Sequence, residues 1–135
     1  MIEITTKPIS PDSAINSVRT RASGCVTVYV GSIRDSSQGK QVASVEYSDP
    51  KGTAKASLER LAGEIRRRWQ VEGIAICHRI GKLEVGDINF LVAIASAHRQ
   101  EGFAAAQYAV DSFKELLPTR KKETYLDGST HIEGE

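Results

Sequence analysis

Ten consecutive residues, Ile88 to Ala97 (INFLVAIASA), carry only two polar side chains, Asn89 and Ser96. Crossing a membrane as a helix takes about 20 apolar residues, so this run is too short. It also lacks the alternation of a strand with one wet face. It therefore predicts a strand covered on both faces, which demands a sheet with layers packed above and below it.

The flanking segments supply those layers. MIEITTKPI reads as a first strand. Ser10-Pro11-Asp12 has the form of a helix start, with a serine cap, a proline at the first helical position and an acid in the first turn. That helix is expected to run to about Ala22, with Gly24 just past its end. CVTVYVGSIR and VASVEYS read as strands joined by the polar loop DSSQGKQ, a hairpin-like unit with a long connection. After the break at Asp49-Pro50-Lys51-Gly52, Leu58, Leu61, Ala62, Ile65 and Trp69 fall on one helical stripe. IAICHRIG reads as a further inner strand. HRQEGFAAAQYAVDSFKELL reads as the last helix, stopped by Pro118, with Phe103, Ala106, Val110, Phe113 and Leu117 as its buried stripe. The polar tail that follows has room for one short strand. The fold class is α+β, with helices packed on a mainly antiparallel sheet. Residues 1–125 form the domain and residues 126–135 a polar C-terminal tail.

Eighteen Lys and Arg against seventeen Asp and Glu leave a net charge of +1, which argues against a protein that coats a polyanion. Cys25 and Cys77 sit in apolar runs and show no metal-ligand spacing, so they read as small buried hydrophobes. Neither do His78, His98 and His131 show such spacing, and His78-Arg79 reads as structural. No GxGxxG or P-loop pattern is present. The N-terminus has no basic start followed by a long apolar core, so the expected location is cytoplasmic.

Chemistry concentrates around the last helix. Lys114 is four residues after Val110 and three before Leu117, so it projects at the edge of the apolar stripe. An ammonium there is partly desolvated and its amine more reactive; the plainer reading is a lysine whose stem covers apolar surface. His98-Arg99 lies between the apolar strand and the helix start, where free backbone N–H groups and the helix dipole favour an anion. Arg34 ends a strand. Together with Arg120, Lys121 and Lys122, these residues form a basic set at element ends, suited to an anionic small molecule or a carboxylate terminus. Only Tyr125 lies near enough to stack on a base, so the nucleic-acid signal is weak.

These segments, taken in order, carry a resemblance. HRIGKLEVGD, an apolar strand, SAHRQEGFAAAQYAVDSFKELLP and then KKE resemble the large, catalytic subunit of molybdopterin synthase. That family shows HRxGxLxxGe, SAHRxxAF, a helix bearing a lysine, and P-x-W-K-K/R-E. GSIRD at 31–35 is similar to its GxxR segment, and VEYSDPKGTA at 45–54 fits its LxYExYxxMA region in length. The chain departs from the pattern at Pro50, Thr53, Gly102, Thr119 and Arg120.

The resemblance implies a hammerhead-like α+β domain and a sulfurtransferase of molybdenum cofactor biosynthesis. It implies that two sulfurs pass to cyclic pyranopterin monophosphate from a thiocarboxylate on the C-terminal Gly-Gly of a small ubiquitin-like partner. The large subunits are expected as a homodimer inside a heterotetramer. Lys114 and Lys121 match the catalytic lysines. Arg34, His98 and Arg99 match the anion-binding residues, the last two reaching in from the other protomer. No cofactor, metal, nucleic acid or membrane is implied. Two other functions stay open: a non-catalytic partner-binding module of the same fold, and an anion- or RNA-binding domain using the RRR and RKK runs.

Overall fold

The computed structural model describes residues 1–134. It contains β1 (Ile2–Thr5), α1 (Pro11–Val18), β2 (Cys25–Ser32), β3 (Ser36–Ser37), β4 (Lys40–Ser48), α2 (Ala54–Arg68), β5 (Gly73–Arg79), β6 (Gly81–Leu83), β7 (Ile88–Ser96), α3 (Arg99–Leu116), β8 (Arg120–Tyr125) and β9 (Thr130–Glu133). The first sheet has the order β1-β5-β7-β2, with β1 parallel to β5 and the other pairs antiparallel. The second runs β3-β4-β8-β9, with β6 also paired to β4.

The apolar run is the inner strand that its composition requires. Phe90, Val92 and Ile94 point into a core roofed by α2 and α3. Leu91, Ala93 and Ala95 point to the opposite face, under Ala14 and Val18 of α1. A third cluster, including Val45, Tyr47, Leu83 and Tyr125, belongs to the second sheet.

Helix starts follow local chemistry. Ser10 caps α1 by accepting from the Ser13 N–H at 3.2 Å. At α2 the Asp49 carboxylate reaches past Pro50 to accept from the N–H groups of Thr53 and Ala54, at 3.2 and 3.3 Å. A carboxylate there also meets the positive end of the helix dipole.

Four expectations are corrected. Helix α1 ends at Val18, not Ala22, because the Thr20 and Ser23 hydroxyls capture the backbone N–H groups of Ala22 and Thr20 in a competing turn. Gly24 is therefore no helix cap. It lies where β2 meets Ala97, whose carbonyl oxygen leaves no room for an added Cβ. Strands β2 and β4 do not pair. The chain leaves the first sheet after a bulge at Gly31/Ser32, and β4 forms its tight hairpin with β3 through Gln38-Gly39, both at positive φ. The buried face of α3 is Gly102, Ala105, Ala106, Ala109 and Phe113, whereas Phe103 is 62% exposed and Leu117 lies beyond the helix as its left-handed cap. Small residues let α3 settle close on the sheet, and the large flank of the helix is rotated outward.

The segment after Pro118 forms two strands, β8 and β9, paired antiparallel, so β9 occupies part of the polar tail. Glu135 lies outside the described residues. No described helix is long and apolar enough to cross a membrane.

Ile94 is fully buried against both roofing helices. Ile94→Ala is expected to cost about 2–5 kcal/mol, read as a lower urea midpoint. Asp49→Ala, which removes the remote cap of α2, is expected to cost about 1 kcal/mol in the same measurement.

Candidate active site

A cavity of about 170 Å³ opens where the two sheets and the end of α3 meet. The first sheet contributes Tyr29, Gly31, Asn89 and Phe90; the second contributes Ser37, Val45, Tyr47, Lys121 and Glu123; α3 contributes Phe113 and Lys114. Arg34 closes the rim from the turn after β2. Three cations from three separate elements therefore converge on one hollow: Arg34, Lys114 and Lys121. Lys114 lines the cavity from the edge of the apolar stripe of α3 and is exposed overall.

Alternation along β8 sorts the RKKE segment. Lys121 and Glu123 face the cavity, while Arg120 and Lys122 are exposed to solvent on the other face. Glu123 is the residue that reasoning from sequence passed over. It is 4% exposed, accepts from Ser37 Oγ at 2.9 Å and Tyr125 OH at 3.0 Å, and holds Lys121 Nζ at 3.7 Å. The spacing of Lys121 and Glu123 on one strand was the signal that could have found it. A buried carboxylate with two hydroxyl donors is well solvated by the protein and fixes the lysine beside it. Tyr125, committed to Glu123 and buried, offers no platform for a base.

The cavity floor is aromatic. Phe90 and Phe113 stack with ring centroids 3.7 Å apart. Tyr47 OH accepts from Asn89 Nδ2 at 3.0 Å, and burial pushes the Tyr47 phenol up to about 12. Tyr47 is thus a neutral wall residue over the working pH range.

His98 and Arg99 do not join this cavity within one chain. They line a separate, shallower depression with Gly24, Cys25, Ala97 and Gln100, at the opposite end of β2. Cys25 is half-buried and its Sγ lies 3.5 Å from Ser96 Oγ; Cys77 is buried and burial raises its thiol to about 11. Both cysteines are free. The Arg66–Arg68 run is exposed at the end of α2, where it complements the helix dipole, and Arg68 lies over the Tyr108 ring. Among the described residues no group of three or more His, Cys, Asp or Glu is placed to hold a metal ion.

His78 is structural, as its surroundings in the sequence indicated. It is fully buried, with Nδ1 2.8 Å from the Asn89 carbonyl and Nε2 2.8 Å from Thr119 Oγ1.

Fold and site together define an α+β domain whose pocket gathers the cationic side chains of Arg34, Lys114 and Lys121. The family profile described as MoaE protein matches residues 4–116. A molybdopterin synthase catalytic subunit from Nostoc sp. is 41% identical over 128 residues, covering 94% of this chain and 78% of that one. The molybdopterin synthase crystal structure from Staphylococcus aureus superposes with a TM-score of 0.91 at 30% identity, covering 99% of this chain and 97% of the other. At 14% identity, a Helicobacter pylori complex of subunits 1 and 2 of molybdopterin-converting factor still shares the fold, with a TM-score of 0.77 over 100% of this chain and 92% of that one. The chain belongs to the molybdopterin synthase catalytic-subunit family.

Burial lowers the pKa of His78 below its ordinary 6.5, against smaller opposing effects of the Asn89 carbonyl and the Asp49 carboxylate. The unfolded chain therefore binds this proton at a higher pH than the folded one, and stability contributed by the neutral ring is lost as pH falls below about 6.5. A urea midpoint that declines from pH 7.5 toward pH 5 is the expected result; a midpoint flat across that range contradicts it.

Proposed function

We propose that this chain transfers sulfur from a thiocarboxylate at the C-terminus of a small partner subunit to cyclic pyranopterin monophosphate, forming the dithiolene of molybdopterin. The observation that carries this reading is the convergence of Arg34, Lys114 and Lys121 on one narrow cavity. The family membership supports the same chemistry, and the two-subunit Helicobacter pylori complex supports a small-subunit partner.

The partner's tail enters the cavity and its thiocarboxylate sulfur attacks a pterin side-chain carbon. A C–S bond forms as a C–O bond of that carbon breaks, and its oxygen leaves to phosphate or, after protonation, as water; a second thiocarboxylated tail repeats the exchange at the adjacent carbon. Water then cleaves the acyl–sulfur bond, leaving sulfur on the pterin and an ordinary carboxylate on the tail. Arg34 holds the phosphate through a forked pair of N–H donors. Lys114 donates a proton or stabilises charge as sulfur attacks, and Lys121, steadied by Glu123, stabilises the developing anion. A cavity of about 170 Å³ has room for a chain end without side chains, in keeping with a Gly-Gly terminus.

His98 and Arg99 complete the phosphate site from a second copy. Strand β2 is an edge of its sheet, and α3 runs alongside it in the same direction. Lys114 and Arg34 stand at the far end of this pair, His98 and Arg99 at the near end. Pairing β2 antiparallel to its own twofold copy brings the near end of one chain beside the far end of the other. Val28 and Val30, 37% and 42% exposed on that edge strand, and Phe103 on α3 give such a contact apolar surface. Location in the cytoplasm is part of this proposal.

Lys114→Ala is expected to lower conversion of precursor to molybdopterin at least 100-fold with thiocarboxylated partner, an effect on the scale of a lost acid–base group; full conversion by this variant overturns the reading. Combined Val28→Lys and Val30→Lys is expected to yield monomers by sedimentation, since charge on an edge strand opposes strand addition, and to abolish turnover.

A further inference from the structure

We propose that His78, through Thr119, is a positioning residue that sets the placement of both lysines; this rests on the sulfur-transfer reading above. The Asn89 carbonyl can only accept, so His78 Nδ1 carries the proton and donates to it at 2.8 Å. The other nitrogen of the neutral ring is then an acceptor, and the Thr119 hydroxyl donates to it at 2.8 Å. Both partners are closed off from water: His78 is 0% and Thr119 1% exposed.

The contacts of this ring are with the structural supports of the cavity. Tyr47 and Phe113 meet it edge-on, with centroids 4.8 and 5.0 Å away, and Phe90 lies at 6.5 Å. All three line the cavity, as does Asn89. Phe113 immediately precedes Lys114, and Thr119 stands two residues before Lys121. The link between the lysines is a sharp reversal, with Leu117 in the left-handed region at φ 39° and Pro118 after it. A non-glycine residue there is held by its surroundings. The Thr119–His78 bond ties the end of that reversal to the inner strand β5. One imidazole thus fixes the base of α3 through Phe113 and the start of β8 through Thr119. Small displacements of reacting groups are costly in rate, so this tie acts on turnover as well as on stability.

The test compares Thr119→Val, which keeps the shape and removes the donor, with Thr119→Ser, which keeps the donor. Turnover with thiocarboxylated partner is measured at a temperature where circular dichroism shows each variant folded. The expected result is about a tenfold fall in kcat for Thr119→Val, with KM within about threefold, and restoration to within about twofold of the parent by Thr119→Ser; the scale is that of one misplaced hydrogen bond. A Thr119→Val enzyme with unchanged kcat overturns the proposal, even if its melting temperature falls. If Thr119→Val does not fold, Thr119→Ala takes its place, and failure of both to fold assigns the bond to stability alone and also overturns it. Activity retained by Lys114→Ala would instead remove the sulfur-transfer reading, so the two failures are distinguishable.

Discussion

Burial of β7 on both faces is the constraint from which the rest of the arrangement follows. A strand with Leu91, Ala93 and Ala95 on one side and Phe90, Val92 and Ile94 on the other has no face to give to water. It must be flanked by strands and roofed twice. Helix α1 supplies one roof, α2 and α3 the other. Because α3 follows β7 directly and returns over it, α3 lies alongside β2, and the start and end of that helix are set at opposite ends of the edge strand. The separation of His98 and Arg99 from Lys114 is thus a consequence of topology.

The second sheet turns that framework into a site. It adds few residues to the main core, but it carries Lys121 and Glu123 on the face that closes the cavity, with Tyr47 as the wall between them and the first sheet. The cations do not repel each other into solvent unopposed, because Glu123 is buried beside Lys121 with its own hydroxyl donors. Arg34 and Lys114 have no acid partner within salt-bridge reach among the described residues.

Much of this was legible in the chain. The apolar run located β7, the Ser-Pro-Asp start located α1, and the Leu58–Ile65 stripe located α2. Arg34, Lys114 and Lys121 were named within a basic set at element ends, but His98, Arg99, Arg120 and Lys122 of that set do not line the cavity, and it was the family motifs that singled out the two lysines. What escaped was non-local. The partner of β2 depends on a bulge at Gly31/Ser32 and on the tight turn at Gln38-Gly39, which redirect the chain between sheets. The face of α3 was misjudged because alanines and a glycine, weak signals by hydrophobicity, outcompete Phe103 when close approach to the sheet is worth more than bulk. Glu123 was overlooked because an acid in a basic run reads as solvent-facing until strand alternation is imposed on it.

The small-residue seam of α3 has one more implication. Gly102 leaves no space for a Cβ, with Thr27 Oγ1 and Ser96 Oγ at 2.6 and 2.9 Å from where one would stand. With Ala105, Ala106 and Ala109 it lets the helix ride low on the sheet. The depth at which the Lys114 amine sits is thereby gauged about three turns away, by the absence of atoms. A single methyl added at the far end of the rod would tilt it, and the reach of the amine would change without any residue near the pocket being altered.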